Sequence, residues 1–232
     1  MKAVPNLIRT KNFVADAAAF ILEHACKALE ERNEFRIALS GGNTPAPVYA
    51  RVATEARDLP WESVWFTFGD ERCVPPDDPQ SNFRMARETL FVPAAIPEKS
   101  IVRMRGEIDP QIAAQEYEDQ LNAFATNRGE LIYQHDLILL GLGDEGHTAS
   151  LFPGTAALEE TARRVVANFV PKLNAWRLTF TFPLINHARH ILFLVGASKS
   201  PQLIERVLAR DQQFPSARVN PSAGEVTWMI AE

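Results

Sequence analysis

The residues best suited to chemistry lie together in one glycine-rich stretch, GLGDEGHTASLFP, at residues 141–153. Two carboxylates, Asp144 and Glu145, stand there close to His147. The glycines let the chain fold back tightly, and the largely apolar run before them, residues 136–140, predicts a buried strand of a parallel sheet. Ligands bind at the carboxyl ends of such strands, so the stretch is a candidate site. The alternative is a solvated turn whose acids merely start the next helix.

A second candidate site is the sequence SGGNTP at residues 40–45, after a short strand predicted over residues 35–39. Its two glycines permit a tight turn with amides facing one way, Thr44 is a favourable N-cap, and Pro45 suits the first helical position. A strand, a glycine turn and a helix N-terminus together form a cradle for an anion such as phosphate. An ordinary strand-to-helix turn is the alternative.

Basic side chains follow two further predicted strands. Arg72 lies in the loop DERCVPPDDPQSNF, after a strand at residues 64–69, and its planar guanidinium could bind an oxygen anion. Its alternative role is to pair with a nearby carboxylate, at position 70, 71, 77 or 78. Lys199 lies just before a predicted helix, where the helix dipole disfavours a cation, so a phosphate would be a suitable partner.

Strands and helices alternate along the chain. Further strands are predicted over residues 165–170, 176–182, 191–195 and 226–230, and helices over residues 11–32, 82–90, 110–127 and 201–210, with Ser81 as the cap of the second. In the helix at 110–127 the inward side chains should be Ile112, Ala113, Tyr117, Leu121 and Phe124. In the strand at 176–182 we expect Leu178, Phe180 and Phe182 to face inward, and Arg177, Thr179 and Thr181 to face outward. The pattern predicts a three-layer α/β fold with a mostly parallel sheet, as a single domain over residues 1–232.

Composition excludes several classes of protein. Apolar residues make up 46% and charged residues 23%, which is ordinary for a soluble globular chain. The net charge of −5, without a basic stripe, argues against a nucleic-acid partner. No apolar run has the length of a membrane span, and the start, MKAVPNLIRTKNF, lacks a signal-peptide core, so we expect a cytoplasmic protein. Cys26 and Cys73 are expected to be free thiols, and no pattern of metal ligands is visible.

From about residue 10 to residue 230, the chain resembles the 6-phosphogluconolactonase family. The resemblance rests on SGGNTP, FGDERCVPPDDPQSNF, GLGDEGHTASLFPG and GASKSPQ, of which the second and third are specific. It implies a Rossmann-like fold shared with ribose-phosphate isomerases and a close relation to glucosamine-6-phosphate deaminases. The sequence departs from the family pattern at two positions. Glu145 stands where the family usually has Asp, and Asn43 where it commonly has Ser.

The resemblance implies hydrolysis of 6-phosphoglucono-δ-lactone to 6-phosphogluconate by a water that His147 activates. Glu145, or less readily Asp144, would hold the tautomer of His147. Arg72 would bind either the reacting carbonyl or the phosphate. The phosphate would lie on the cradle, with Arg177 and Lys199 as countercharges, so that the expected binding residues are Ser40, Gly41, Gly42, Asn43, Thr44, Arg72, Arg177 and Lys199.

The implied reaction needs no cofactor and no metal. The chain has no GxSxG sequence and Ser150 has no evident activation, so we expect direct attack by water without an acyl-enzyme. Two alternatives stay open, namely a sugar-phosphate isomerase or deaminase on the same fold and a catalytically inactive sugar-phosphate sensor. The expected partner is a small phosphosugar lactone, the expected state a monomer or weak homodimer, and coupling to glucose-6-phosphate dehydrogenase is possible.

Overall fold

The computed structural model of the chain describes residues 5–56 and 58–232. We expected no signal-peptide core at the start of the chain, and the first four residues of that segment lie outside the described residues. Nine strands and six α-helices are defined within this part of the chain: β1 (Asn6–Thr10), α1 (Phe13–Arg32), β2 (Phe35–Leu39), α2 (Ala46–Glu55), β3 (Val64–Phe68), β4 (Asp70–Arg72), α3 (Asn82–Ala86), α4 (Pro110–Thr126), β5 (Leu137–Gly141), β6 (Val165–Val170), β7 (Ala175–Phe180), α5 (Phe182–Ile185), β8 (His190–Val195), α6 (Pro201–Leu208) and β9 (Glu225–Ala231). No helix among them combines the length and apolarity that crossing a membrane requires.

Six strands form one parallel sheet in the order β1-β9-β8-β5-β2-β3. β5 lies inside this sheet, and its side chains alternate between two hydrophobic cores. Leu137 and Leu139 pack under α1 and α2, whereas Ile138 and Leu140 pack under α4 and α6. A strand covered on both faces needs a continuous apolar run, which this strand has. The predicted three-layer α/β fold with a mostly parallel sheet is therefore confirmed.

A second, smaller sheet has the antiparallel order β4-β7-β6. The prediction that residues 70–72 belong to a loop was wrong, because they pair with residues 177–179 of β7, far away in sequence. Thr179 and Thr181, predicted to face outward, are fully buried. Each hydroxyl is hydrogen-bonded to backbone, so burial leaves neither threonine unpaired. Phe182, predicted as the end of the strand, instead begins α5.

Other local predictions had mixed outcomes. Ser81 caps α3 as predicted, accepting a hydrogen bond from the N–H of Arg84 at 3.2 Å. Thr44 does not cap α2, because the helix begins one residue after Pro45 and no side chain caps it. Ile112, predicted to face inward, is 55% exposed. β1 was not predicted, since this short and partly exposed edge strand depends on pairing with β9 at the other end of the chain.

Parallel strands bring the loops that follow them to one edge of the sheet, and the loop after β2 is held there by Tyr49. The buried hydroxyl of Tyr49, on α2, donates a hydrogen bond to the carbonyl of Ser40 at 2.9 Å. It also accepts one from the N–H of Ser40, again at 2.9 Å. One side chain therefore satisfies both backbone groups of the first loop residue.

We expect Tyr49→Phe to lower the free energy of unfolding by about 1–3 kcal/mol, because it leaves two buried backbone groups of Ser40 unpaired. Tyr133→Phe is the matched control. Tyr133 is also buried, but its hydroxyl makes no hydrogen bond within the described residues. Urea unfolding of the two variants measures the difference, and equal losses would contradict the anchoring role of Tyr49.

Candidate active site

A cleft of about 530 Å³ opens where the loops after β2, β3, β5 and β8 meet. It brings together the predicted site residues from all four loops and from β7. Its lining includes Ser40, Gly41, Gly42, Asn43, Thr44, Arg72, Glu145, His147, Arg177 and Lys199. Asp144, the second acid considered for His147, is not part of this lining.

The loop after β2 contributes a row of amides, those of residues 41–44, to the lining of the cleft. The N–H groups of residues 41–44 donate to no protein group in the described part of the chain. Gly41 packs so closely on Asn82 that a Cβ would lie 1.8 Å from its Oδ1, and Gly42 has a φ of +96°. Neither position tolerates a side chain without strain. Free amides beside the N-terminus of a ten-residue helix suit an anion.

Two arginines face each other beside this row. Arg72 of β4 and Arg177 of β7 are direct partners in the antiparallel ladder. Each donates to a backbone carbonyl, Arg72 to Gln80 and Arg177 to Trp176, and neither forms an ion pair with a carboxylate of the described residues. Burial lowers the pKa of Arg177, and the charge of Arg72 lowers it further. Two adjacent cations without a directly bonded carboxylate favour an anionic ligand.

Within the described residues, Arg72 does not pair with a neighbouring acid, which was the alternative to anion binding. The adjacent acid, Glu71, has other partners. The Glu71 carboxylate is 2% exposed and accepts hydrogen bonds from the N–H groups of Arg72, Asn82 and Phe83 and from the hydroxyl of Ser81. Burial raises the pKa of Glu71, although these bonds oppose the shift. Glu71 thus holds the loop at residues 72–83 against β4 and leaves the guanidinium of Arg72 to the cleft.

His147 also lines the cleft, and its ring stacks on Phe152 with ring centroids 3.9 Å apart. Burial lowers the pKa of His147, so the imidazole is neutral near pH 7 and can accept a proton. Its Nδ1 is buried and has no hydrogen-bond partner in the described residues. Nε2 is therefore the nitrogen that a molecule in the cleft can reach.

The two acids of the loop have different surroundings. Asp144 is 91% exposed at its side chain and binds Lys199 at 2.5 Å. Glu145 has one oxygen 3.7 Å from Nδ1 of His147, which is beyond hydrogen-bond distance, while its other oxygen binds Lys172. Glu145 is thus the loop carboxylate that faces the imidazole. Lys172 carries no local signal in the sequence, because only the folded hairpin brings it to this loop.

From the sequence, Asp70 was expected only as an alternative partner of Arg72. In the structure Asp70 lines the cleft and accepts a hydrogen bond from the Ser150 hydroxyl at 2.7 Å. Burial is the main reason that the pKa of His147 is lowered. Among the groups that act to raise this pKa, Asp70 contributes most. The position of Asp70 just after the carboxyl end of β3 was a signal that could have identified it.

The cleft floor holds several polar atoms without partners. Six buried side-chain polar atoms of the described residues have no hydrogen-bond partner, and four belong to residues lining the cleft: Ser40 Oγ, Asn82 Oδ1, His147 Nδ1 and Thr148 Oγ1. Buried polar groups are normally bonded, and exceptions concentrate at functional sites. No group of three or more His, Cys, Asp or Glu side chains is arranged to hold a metal ion in residues 5–56 and 58–232.

Gly143→Ala should displace the imidazole of His147, because a Cβ at Gly143 would lie 2.0 Å from the ring carbon Cε1. We expect the His147 ring proton signals in an NMR spectrum to lose the ring-current shift caused by Phe152. Gly141→Ala, at the end of β5, is the control, since a Cβ there meets no atom within 4 Å and the φ is not left-handed. An unchanged His147 signal in Gly143→Ala would contradict the close packing.

Comparisons with known proteins agree with this geometry. Residues 9–228 match the family model described as glucosamine-6-phosphate isomerases/6-phosphogluconolactonase. The chain is 41% identical to a 6-phosphogluconolactonase of Synechocystis, over 97% of this chain and 93% of that protein. It is 30% identical to the human GDH/6PGL endoplasmic bifunctional protein, over 95% of this chain and 28% of that protein.

A solved structure shows the same likeness. The 6-phosphogluconolactonase from Trypanosoma cruzi superposes with a TM-score of 0.87 at 31% identity, covering 100% of this chain and 96% of that one. Family model, sequence relatives and fold thus agree over nearly the whole chain. The chain belongs to the 6-phosphogluconolactonase family.

Proposed function

We propose that this cleft hydrolyses 6-phosphoglucono-δ-lactone to 6-phosphogluconate, the second step of the oxidative pentose phosphate pathway. Relatives that match almost the whole chain are 6-phosphogluconolactonases, which supports a lactone hydrolase. One observation in this chain carries the proposal. The neutral imidazole of His147 shares a single cleft with the free amides of residues 41–44, so one small phosphorylated ester can engage both.

The phosphate binds at the amide row. The N–H groups of residues 41–44 supply directed donors, and Arg177 and Lys199 supply charge from the adjoining walls. Lys199 keeps one carboxylate partner, Asp144, whose exposed side chain can give way to a dianion. Arg72 stands beside Arg177 and binds either the phosphate or the carbonyl oxygen of the ester. Local donors thus allow a chain of net charge −5 to hold an anion.

The chemistry is the opening of a ring ester by water. Nε2 of His147 takes a proton from water as the water oxygen bonds to the lactone carbonyl carbon, forming a tetrahedral oxyanion. The bond from that carbon to the ring oxygen then breaks, and His147 returns the proton to this oxygen, which becomes a hydroxyl. Glu145 faces Nδ1 and favours the tautomer that leaves Nε2 free to accept. Ser150 is only 2% exposed, which supports direct attack by water.

The proposal also includes the domain organisation, the oligomeric state, the location and the partner of the enzyme. We treat residues 1–232 as one domain that works as a monomer or weak homodimer in the cytoplasm on a small phosphosugar lactone. Coupling to glucose-6-phosphate dehydrogenase, which would deliver the unstable lactone, is supported by the human relative, where the matching segment is 28% of a bifunctional protein.

The test compares lactone opening by wild type, His147→Ala and Lys199→Ala, with freshly generated lactone and correction for spontaneous opening. His147→Ala should lower kcat by roughly 10²- to 10⁴-fold with little change in KM, since it removes the general base. Lys199→Ala should mainly raise KM, since it removes a charge that binds substrate in the ground state.

Equal and small effects of the two substitutions would contradict these roles. Release of ammonia from glucosamine 6-phosphate by the wild type would indicate the deaminase reaction instead. Binding of 6-phosphogluconate without any lactone opening would indicate a sensor.

A further inference from the structure

One contact across the cleft has no part in the mechanism described above. The β6–β7 hairpin ends in a turn, Pro171–Leu173, and the ammonium of Lys172 at its tip donates to Oε1 of Glu145. The two residues are 27 positions apart, so the ion pair joins the hairpin to the loop after β5. Both line the cleft, and the Lys172 side chain is 70% exposed.

The ion pair coincides with an unsatisfied group on the catalytic imidazole. Nδ1 of His147 is buried without a partner, which costs free energy whenever the nitrogen carries its proton. The nearest carboxylate, Glu145, stops at 3.7 Å from Nδ1 while Lys172 binds its other oxygen. A small movement of Glu145 would satisfy Nδ1, and Lys172 is the hydrogen-bond partner of Glu145 in its present position.

We propose that Lys172 is a positioning residue that makes activation of His147 depend on the phosphate of the substrate. In the free enzyme Lys172 holds Glu145 back. A phosphate in the cleft attracts the ammonium more strongly than a single carboxylate does, because it carries about two negative charges. Glu145 is then released and accepts the hydrogen bond from Nδ1, which makes Nε2 a stronger base. This inference rests on the proposed function.

The surroundings of His147 leave this role to Glu145. The charges that act on the imidazole come from Asp70 of β4, from Asp144 and Glu145 of its own loop, and from Lys199 in the turn before α6. Asp70 is bonded to Ser150 and Asn82, and Asp144 to Lys199. Glu145 has Lys172 as its hydrogen-bond partner and is the only one of these acids within ion-pair distance of the ring in the described part of the chain.

The first experiment needs no substrate and follows the pKa of His147 by NMR in the ligand-free protein. Lys172→Met should raise this pKa, since Glu145 can then bind Nδ1, whereas Lys172→Arg should leave it as in the wild type. Lys99→Met removes an exposed lysine that does not line the cleft and should also leave it unchanged. Thermal unfolding checks that the variants fold, and an unchanged or lowered pKa in Lys172→Met would overturn the proposal.

A second variant tests whether Lys172 acts through Glu145. In a Glu145→Gln background, Lys172→Met should no longer raise the pKa of His147, because the carboxylate that it released is gone. The same rise in both backgrounds would mean that Lys172 acts on the imidazole only by its own charge, and would overturn the coupling.

The kinetic arm compares 6-phosphoglucono-δ-lactone with unphosphorylated glucono-δ-lactone. Lys172→Met should raise kcat on the unphosphorylated lactone by on the order of 3- to 10-fold, the equilibrium worth of one hydrogen bond. In Lys172→Met the acid limb of the kcat/KM profile should also move to higher pH. Lys172→Arg should return both kcat and the pH profile to those of the wild type. A higher KM for the phosphorylated lactone alone would make Lys172 a phosphate ligand only. If the wild type opens neither lactone, the proposed function fails, while the NMR arm still decides the role of Lys172.

Discussion

The parallel pairing of the central strands is the constraint on which the site depends. Because β3, β2, β5 and β8 are neighbours and run the same way, the loops after them end at one edge of the sheet. Each loop contributes one kind of group, namely amides from residues 41–44, a guanidinium at Arg72, an imidazole at His147 and an ammonium at Lys199. Hydrophobic cores cover both faces of β5, so the strand that leads into the loop of His147 is buried on either side.

The cleft offers donors that suit an anion although the protein is acidic. Backbone amides carry no net charge and need no countercharge, so residues 41–44 can stay unbonded until a ligand arrives. The acids near the cleft are engaged elsewhere. Glu71 binds backbone N–H groups, and Asp144 and Glu145 each bind a lysine. The guanidiniums of Arg72 and Arg177 are thereby left facing the cleft without a carboxylate partner among the described residues.

The sequence predicted those parts of the fold and site that depend on local pattern. The apolar strands of the parallel sheet, the helix at 110–126 and the glycine loops each carry a local signal, and the cleft brings every predicted site residue together. The sequence did not reveal what depends on contacts between distant segments. β4 exists because of β7, β1 because of β9, and Lys172 meets Glu145 only through the hairpin. Thr179 looked outward by alternation, since the second layer over β7 has no local signature.

The central claim is that one cleft holds the phosphate at the amide row and the ester at His147. A crystal structure of the protein with 6-phosphogluconate tests this claim most directly. We predict phosphate oxygens bonded to the N–H groups of residues 41–44 and a carboxylate oxygen of the product within hydrogen-bond distance of Nε2 of His147. A product bound in the reverse direction, with its phosphate against His147, or bound outside the cleft, would contradict the account.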